Sequence, residues 1–450
     1  MVKSAAVFVC GQCGYESIKW LGKCPSCQTW SSFSEEPRNF NNAHTHNGDY
    51  KVVRLTDVSM EESARFSSGN AELDRVLGGG IVPGSLILLG GDPGVGKSTL
   101  LLQVAQKSAD NGYKILYLTG EESLRQIKLR AERLKIKADS LFLLNEQRLE
   151  ILENCIRQTK PHLIIIDSIQ TVYTDSVSSI PGSVAQLREC TVKLAEIAKK
   201  MERSFFLIGH VTKDGALAGP KVLEHMVDVV IYFEGEKNLP LRVLRSVKNR
   251  YGSTDEIGFL EMGGEGLREV QDPSYIFLDA RQRRPVSGLA VCPIYEGSRP
   301  FLIEAQALVT SSGPGYARRM ASGIDQNRLA LIIAVLEKRL SLNLGSQDIY
   351  VKVSGGFFLK DPAADLGIAA AIISSYQNFS LPVDTVFAGE VSLSGMIGKV
   401  SFWENRLKEA ERMGYKKAVI PEHSRFNFKE INLELITIEN ISDLLKVMEV

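Results

Sequence analysis

The stretch SLILLGGDPGVGKST, residues 85–99, contains the residue types that bind a nucleotide phosphate. A Gly-x4-Gly-Lys-Ser pattern runs between an apolar segment that predicts a strand and a segment that predicts a helix. Backbone N–H groups of such a loop, and the positive end of the helix, bind phosphate oxygens. Lys97 is expected to pair with the β- and γ-phosphates, and Ser98 to ligate Mg²⁺. The sequence therefore predicts an ATP site made of Gly91, Asp92, Pro93, Gly94, Val95, Gly96, Lys97, Ser98 and Thr99.

Acidic residues in two segments could complete this site. The run HLIIID ends in Asp167, and a carboxylate at the end of a buried strand is typical of the Walker B position beside Mg²⁺. The run YLTGEES places Glu121 and Glu122 at the tip of a strand that we expect beside the phosphate-loop strand. A glutamate there can orient water on the γ-phosphate, whereas the same pair could instead cap the following helix. We favour Glu121 as the base, with Glu122 as the alternative.

The amino-terminal segment predicts a metal site. It carries two Cys-x2-Cys pairs separated by ten residues: Cys10, Cys13, Cys24 and Cys27. Four thiolates at this spacing are typical of tetrahedral Zn²⁺ coordination in a small ribbon. We expect Trp20 and Trp30 to form its small core. A structural or docking role and nucleic-acid contact remain equally open for this ribbon.

The composition is that of an ordinary soluble globular protein. Hydrophobic residues make up 44% of the 450 residues and charged residues 24%. No apolar run approaches the ~20 residues needed to cross a bilayer, and the amino-terminus has no signal-peptide pattern, so we expect a cytoplasmic protein with no membrane partner. Lys and Arg number 53, as do Asp and Glu, so binding of nucleic acid would have to depend on local basic patches.

Hydrophobic patterning divides the chain into four parts. We expect a zinc ribbon over residues 1–33, a polar linker over 34–60, an ATPase domain over 61–271 and an α+β domain over 272–450. In the ATPase domain, near-continuous apolar runs alternate with amphipathic segments, which predicts the α/β class with a mainly parallel sheet. The runs LRVLRSVKN and EIGFLEM near its end predict an antiparallel addition to that sheet.

The conjunction of these features narrows the family. The segment SGNAELDRVLGGGI before the phosphate loop resembles that of RecA-like core ATPases, which include recombinases, DnaB-type helicases and KaiC. With the four-cysteine ribbon, KNRYG at 248–252 and the carboxy-terminal unit, the whole chain resembles the bacterial RadA/Sms family of DNA repair proteins. The resemblance implies a RecA-like P-loop ATPase core with a mainly parallel sheet, acting as a ring-forming, ATP-driven DNA motor that promotes branch migration of recombination intermediates.

Further residue roles follow from the resemblance. Lys248 and Arg250 are implied to reach a neighbouring subunit's nucleotide or the DNA, and Tyr251 stands where the family usually has Phe. His210 is either a sensor of the γ-phosphate or a satisfied core histidine. A Gly-rich basic loop follows it, and Lys213 and Lys221 are either DNA contacts or ordinary surface lysines.

The resemblance also implies partners. These are single-stranded and branched DNA, the recombinase RecA and, as a further candidate, replisome proteins. The remaining implied partner is the chain itself, in a homo-oligomeric ring expected to be a hexamer.

The carboxy-terminal unit resembles the Lon protease domain. In active members a serine follows proline at a small-residue helix start, whereas GGFFLKDPAADLGIAAAI carries Ala363 there. The partner lysine position is occupied by Glu404, with Lys408 about one turn away. Alanine has no heteroatom to attack a carbonyl, so we expect a scaffold and not an active protease. A basic patch or a merely solvated face could be formed by Arg318, Arg319 and Arg328.

Two alternatives to the DNA motor remain. The first is an ATP-dependent Lon-like peptidase, which the domain order favours and Ala363 opposes. The second is a KaiC-like regulatory ATPase ring with no nucleic-acid role.

Overall fold

The chain divides into two compact units, Met1–Glu269 and Val270–Val450. This division lies two residues from the predicted start of the last domain. None of the helices in the described part of the chain is long and apolar enough to cross a membrane. The computed structural model describes residues 6–10, 15–25, 28–37, 54, 65–210, 220–235, 239–278, 285–313, 316–356, 358–422 and 431–448.

The amino-terminal ribbon is a three-stranded antiparallel sheet of order β2-β1-β3. Its strands are β1 (Ala6–Cys10), β2 (Glu16–Ser17) and β3 (Phe33–Pro37). Because β3 pairs with β1 along its whole length, the folded ribbon extends past residue 33, where we expected it to end.

The expected tryptophan core of the ribbon is wrong. Trp20 and Trp30 are 54% and 71% exposed, and the buried side chains in the described part of the ribbon are those of Val7, Cys10 and Cys24. A Cβ added at Gly22 would lie 3.7 Å from the Trp20 ring and 3.9 Å from the Trp30 ring, so both indoles lie beside this glycine. A three-stranded sheet this short has little interior for an indole ring, and the smaller side chains of Val7, Cys10 and Cys24 are the ones buried in its described part.

The ATPase domain is built on a nine-stranded sheet of order β12-β11-β10-β9-β4-β8-β7-β5-β6. Strands β4 to β9 pair in parallel, and β10, β11 and β12 add to the β9 edge in antiparallel register, as the sequence predicts. The strands are β4 (Leu86–Gly91), β5 (Ile115–Thr119), β6 (Leu141–Asn145), β7 (Leu163–Asp167), β8 (Ser204–His210), β9 (Val229–Glu234), β10 (Leu241–Asn249), β11 (Ile257–Gly263) and β12 (Gly266–Glu269).

Helices cover both faces of this sheet. Their starts are local: Asn70 caps α1, and Ser123 forms a capping box with Gln126 at α3. The central strands β4, β5 and β7 are buried at every residue, as expected for a parallel sheet covered twice. The helices are α1 (Ala71–Leu77), α2 (Lys97–Asp110), α3 (Leu124–Arg133), α4 (Leu149–Thr159), α5 (Val184–Met201) and α6 (Pro220–Leu223).

One expectation about strand order is wrong. Strand β5, which precedes Glu121, does not lie beside the phosphate-loop strand β4, because β8 and β7 lie between them. All four strands are nevertheless parallel and in register, with Gly91 opposite His210 and Thr119 opposite Asp167. Their carboxyl ends therefore meet at one edge of the sheet, where loop residues can converge.

The second unit is built on a seven-stranded mixed sheet of order β15-β16-β14-β13-β17-β20-β21. A separate antiparallel pair, β18 and β19, lies outside it. The strands are β13 (Leu289–Glu296), β14 (Arg299–Ser311), β15 (Arg319–Ser322), β16 (Gln347–Val353), β17 (Thr385–Phe387), β18 (Glu390–Val391), β19 (Ile397–Gly398), β20 (Lys417–Pro421) and β21 (Glu434–Ile438).

Helices of the second unit pack on this mixed sheet, which makes it an α+β domain as predicted. Trp403 and Leu407 of α10 pack with Leu302 and Val386 of the sheet in one buried cluster. Helix α9 is buried from Asp365 to Ser374, because its small side chains allow close approach. The helices are α7 (Ser274–Phe277), α8 (Gln326–Leu340), α9 (Asp365–Gln377), α10 (Trp403–Arg412) and α11 (Ile441–Val447).

Candidate functional site

The phosphate loop lies between β4 and α2, as predicted. Gly94 has φ 83° and Gly96 has φ 115°, values that L side chains rarely adopt. A Cβ at Gly96 would lie 2.5 Å from the Met262 methyl, whereas a Cβ at Gly94 would meet nothing within 4 Å. Open space at Gly94, beside the helix start, fits an incoming phosphate. Pro93 is exposed, Asp92, Ser98 and Thr99 are half-buried, and Val95 is buried.

Lys97 lies buried beneath this loop. Its Nζ donates hydrogen bonds to the carbonyl oxygens of Gly91 at 2.7 Å and Asp92 at 2.9 Å. Burial lowers the pKa of Lys97 to about 8, although the nearby carboxylates of Asp167, Asp92 and Glu121 act in the opposite direction. The ammonium group is thus held by the loop's own carbonyls, within the electrostatic reach of both predicted acidic groups.

Arg242 on β10 supports the loop from behind and was not found from the sequence. Its buried guanidinium donates through Nε to the carbonyl of Val95 at 2.9 Å. This bond fixes the peptide that joins Val95 to Gly96, directly before the helix. The sequence signal was weak, because β10 carries a second arginine, Arg245, and further polar residues, so burial of Arg242 against carbonyl partners could not be inferred from its neighbours.

Asp167 ends β7 and is almost fully buried, at the position that the Walker B pattern predicts. The hydroxyl of Tyr117, on the neighbouring strand β5, donates to its Oδ2 at 2.6 Å. Burial first, and then Asp167, raises the pKa of Tyr117 well above its ordinary value, so the phenol stays protonated. Sequence reasoning missed Tyr117, although a phenol inside an aliphatic strand always requires a partner.

Glu121 reaches this edge from β5. The Ser168 hydroxyl donates to Glu121 Oε1 at 2.6 Å, and His210 Nε2 lies 3.6 Å from the same oxygen. Gly120 permits the approach, since a Cβ there would lie 2.1 Å from the Thr171 hydroxyl. The carboxylate remains about half exposed, as a residue that must meet a water requires.

Glu122 points elsewhere. Its carboxylate forms an ion pair with Arg130 on α3, and its backbone N–H donates to the Thr119 hydroxyl at 3.0 Å. Its backbone carbonyl accepts from the Thr119 hydroxyl and from Asn145. These contacts tie Glu122 to the last turn of α3 and to strands β5 and β6, whereas the start of α3 is capped by Ser123. The carboxylate of Glu122 is thus engaged away from the phosphate loop, and Glu121 is left as the candidate base.

His210 ends β8 between these groups. Burial first, and then the charge of Lys97, lowers the pKa of His210, with Glu121 and Asp167 acting in the opposite direction. The imidazole is therefore neutral at pH 7 and half-buried beside the candidate base. Its position at the site fits the sensor alternative better than the core alternative. Lys213, in the loop that follows, lies outside the described residues.

The donors at this edge fit a nucleotide with Mg²⁺. Ser98 lies in the first turn of α2, and Asp167 is the last residue of β7. Their hydroxyl and carboxylate oxygens are hard ligands, which suit Mg²⁺. If Mg²⁺ is bound there by Ser98 and Asp167, it would offset the negative charge of the phosphates. Lys97 would then contact phosphate oxygens in addition to, or in place of, the Gly91 and Asp92 carbonyls.

Lys248 and Arg250 lie at the opposite edge of the sheet. Lys248 Nζ donates to the carbonyl oxygens of Glu224 at 2.9 Å and His225 at 3.2 Å. Arg250 pairs with the buried Asp228, which also accepts from the Leu86 N–H. Leu86 begins β4 and Gly91 ends it, a separation of about 16 Å at ~3.3 Å per residue. Neither side chain is therefore placed to reach the phosphate loop of its own subunit.

The zinc-site residues are described only in part. Cys10 and Cys24 are fully buried, and each donates its backbone N–H to a carbonyl five residues on, that of Tyr15 or Thr29, at 2.9 Å. Two turns of the same geometry fit the paired knuckles of a ribbon with Zn²⁺. Cys13 and Cys27 lie outside the described residues.

The turn that leads into α9, residues 361–365, is called the elbow of the second unit, and ion pairs hold it in place. Ala363 is fully buried, and its N–H donates to Asp361 Oδ1 at 3.0 Å. Asp361 Oδ2 accepts from Arg406 on α10 at 2.5 Å and from the Tyr295 N–H at 2.7 Å. Glu404 and Lys408, on that helix, form an exposed pair with each other. No nucleophilic side chain occupies the elbow position.

The three candidate basic-patch arginines differ in their surroundings. Arg328 is mostly buried and donates to Asp365 Oδ1 at 2.6 Å and to the Asp361 carbonyl at 2.6 Å. Arg319 donates to the carbonyls of Gln347 and Leu344. Only Arg318 is exposed. A solvated face is therefore the wrong interpretation for Arg328, because its guanidinium pins the start of α9.

Comparison with known proteins matches each part of the chain to a family. Residues 52–216 match the AAA domain family, and residues 8–35 match the rubredoxin metal binding domain family. Residues 325–424 match the family described as subunit ChlI of Mg-chelatase, which includes the elbow. The predicted fold class, with its ATPase core, amino-terminal zinc ribbon and Lon-like carboxy-terminal part, is confirmed.

Three relatives that align over almost the whole chain share one description. The chain is 48% identical to the DNA repair protein RadA of Halalkalibacterium halodurans, covering 99% of both chains. It is 47% identical to that of Listeria monocytogenes, over 99% of this chain and 98% of the relative. It is 46% identical to that of Bacillus subtilis, over 99% of both.

The two glutamates can be separated by substitution. We predict that Glu121→Gln lowers steady-state ATP hydrolysis by roughly 10²- to 10⁴-fold, because the amide cannot accept a proton from water. Nucleotide affinity, measured with a fluorescent ATP analogue, should stay unchanged. The matched Glu122→Gln variant loses only its pair with Arg130 and should lower the rate by less than about fivefold. Equal losses of the hydrolysis rate in the two variants would contradict the assignment of Glu121 as the base.

We predict that nucleotide binding is coupled to the uptake of a proton by Lys97. Without ligand its pKa of about 8 leaves it largely neutral at pH 8.5, whereas phosphate oxygens favour the charged form and raise the pKa. Nucleotide binding at pH 8.5 should therefore take up about one proton, measured as a dependence of the binding heat on the ionisation enthalpy of the buffer. Lys97→Arg is the control, since a guanidinium does not titrate there. Equal heats in all buffers for the unmodified protein would contradict the prediction.

Proposed function

Because the chain belongs to the RadA family of DNA repair proteins and contains an AAA-type ATPase domain, we propose that it is an ATP-dependent DNA motor. It translocates on single-stranded DNA and promotes branch migration of recombination intermediates, as a DNA-dependent ATPase of the helicase type. The observation that carries this proposal is the separation of Arg250 from the phosphate loop of its own subunit. We call Arg250 the finger residue, meaning an arginine that contacts the nucleotide of a neighbouring subunit. At the end of the strands opposite the phosphate loop, it can reach a nucleotide only in a second subunit.

Hydrolysis is assigned to groups at the carboxyl edge of the sheet. Lys97 holds the β- and γ-phosphates, and Ser98 and Asp167 hold Mg²⁺. Glu121, oriented by Ser168, accepts a proton from the attacking water. His210 contacts the γ-phosphate as the sensor. The hydrogen bonds from Ser168 to Glu121 and from Tyr117 to Asp167 support these assignments, since both orient a carboxylate.

Assembly into a closed ring follows from the two edges. Each subunit offers a phosphate loop at one edge and Lys248 with Arg250 at the other, so identical copies joined head to tail complete each other's sites. We propose a hexamer. In a ring Arg250 exchanges the Asp228 carboxylate for the phosphates of the neighbouring site, and Lys248 exchanges the carbonyls of Glu224 and His225.

Contact with DNA is assigned to local basic groups, since the formal net charge is zero. Lys213 and its loop after β8, and the exposed Arg318 of the second unit, are the candidates. The zinc ribbon, with Zn²⁺ on its four cysteines, is assigned a docking role toward DNA, the recombinase RecA or replisome proteins. Its exposed tryptophans support such contact.

The second unit is assigned a scaffold role without protease activity. Alanine stands at the nucleophile position, and the groups around it are committed to each other in the pair of Asp361 with Arg406. This pair is fully buried, so breaking it would leave a charge without a partner. The elbow therefore offers no side chain that could attack the carbonyl group of a peptide substrate.

The finger can be tested by mixing subunits. Arg250→Ala should lower DNA-stimulated ATP hydrolysis by roughly 10³-fold. Mixing it with Glu121→Gln, itself inactive, should recover up to about a quarter of the unmodified rate, because one interface in four joins an intact base to an intact finger. Arg157→Ala, an exposed arginine in a surface pair, is the control and should change nothing. Absence of recovery in stable mixed rings would exclude action on the neighbour.

The DNA dependence is tested in the same assay. Single-stranded DNA should stimulate hydrolysis, and binding should weaken steeply with salt as counterions are released. A rate that ignores DNA at low salt would favour a KaiC-like regulatory ATPase.

A peptidase assay separates the Lon-like alternative. We expect no ATP-stimulated cleavage of an unfolded protein substrate, because Ala363 supplies no nucleophile. The Ala363→Ser variant should remain inactive as well, because position 363 is fully buried beside the pair of Asp361 with Arg406. Cleavage by the unmodified protein would overturn the scaffold assignment, and an inactivated Glu121→Gln protein serves as the control for contaminating ATP-dependent proteases.

A further inference from the structure

Strand β5 carries a hydroxyl that its packing does not require. Its other central residues are aliphatic, and the ring of Tyr117 is fully buried among the apolar side chains between the sheet and its helices. Phenylalanine would fill the same volume. A buried phenol that loses water must find a partner, so a tyrosine is favoured here only if its hydroxyl is used.

The partner of that hydroxyl is the carboxylate of Asp167. Tyr117 and Asp167 lie on adjacent parallel strands and on the same face of the sheet, since Thr119 is opposite Asp167 and lies two residues after Tyr117. The tyrosine therefore approaches the aspartate from the side of the strands' amino ends, and its Oη donates to Asp167 Oδ2 at 2.6 Å. This is the length of a strong hydrogen bond to a charged acceptor.

We propose that Tyr117 is a positioning residue for Mg²⁺, which it orients through Asp167. The bond to Oδ2 fixes the rotation of the carboxylate and leaves the second oxygen, Oδ1, for the ion. A carboxylate held by a hydrogen-bond donor keeps one orientation, whereas a free one samples several and binds the ion less tightly.

The bond also separates two charges that would otherwise pair. Burial lowers the pKa of Lys97, and the charge of Asp167 is the first of those that act in the opposite direction, yet Lys97 Nζ donates to the Gly91 and Asp92 carbonyls. With Asp167 Oδ2 occupied by Tyr117, the carboxylate serves the ion and the ammonium serves the phosphates. Without the hydroxyl, a direct pair of Lys97 with Asp167 would compete with both ligands.

This inference rests on the proposed nucleotide site but not on the DNA motor. Its measurement uses nucleotide and Mg²⁺ alone, so a failure of DNA stimulation would leave it standing. Conversely, a failure of the Tyr117 prediction would leave the assignments of Glu121 and Arg250 untouched.

The test is the Tyr117→Phe variant of the full-length protein. The affinity for a fluorescent ADP analogue is measured once with saturating Mg²⁺ and once with a chelator, and the ratio reports the part that depends on the ion. We expect this ratio to fall by about 10-fold or more, as second-shell changes at metal sites do, with affinity in the chelator unchanged. Tyr113→Phe, a partly buried tyrosine of the same domain, is the control and should keep the ratio.

A double substitution identifies the route. In an Asp167→Asn background the dependence on Mg²⁺ is already reduced, and adding Tyr117→Phe should then change the ratio by less than about twofold. A hydroxyl that served only packing would lower the thermal midpoint and leave the ratio of the single variant unchanged. That result, or an undiminished effect in the Asp167→Asn background, would overturn the proposal.

Discussion

The register of four parallel strands is the constraint on which the ATPase site depends. Gly91 and His210 are paired across β4 and β8, and Thr119 and Asp167 across β5 and β7. Because parallel strands end together, the phosphate loop and the acidic loops leave the sheet at one level. A shift of a single residue between β5 and β7 would place Asp167 and Tyr117 on opposite faces of the sheet. The chemistry at this edge is thus a consequence of backbone pairing before any side chain is considered.

The same pairing gives the domain two unlike ends. Strand β10 runs antiparallel to β9, so it brings Arg242, near its start, to the phosphate loop, and Arg250, the residue after its end, to the opposite ends of the parallel strands. One strand therefore supports the nucleotide loop of its own subunit and leads, at its other end, to the arginine that we propose acts on another subunit. In the second unit the charged groups are instead turned inward. Asp361 and Arg406 close the elbow around Ala363, a use of buried charge that favours one fixed geometry.

Motifs with local causes were predictable from the sequence. The phosphate loop needs glycine at positive φ and a helix start, and both requirements are visible in the order of its residues. The fold class and the antiparallel addition also followed from the pattern of apolar runs. Strand order did not: β5 was expected beside β4, but β8 and β7 lie between them, because order depends on crossover connections that no single run encodes. The prediction that the tryptophans form the core of the ribbon was wrong for a related reason, since the exposure of a side chain depends on which residues pack against it in the folded chain.

The sequence by itself determined which groups are present: a lysine, a serine and acidic residues for a nucleotide, paired cysteines for zinc, and alanine in place of a nucleophile. Only the tertiary structure decided which of them act together. It gave Glu121 to Ser168 and Glu122 to Arg130, it placed Tyr117 against Asp167, and it bound Arg328 to Asp365. These partners are between 8 and 50 positions apart in the chain. Neighbouring residues such as Glu121 and Glu122 have the same chemistry, and only the direction in which the folded backbone points each side chain distinguishes them.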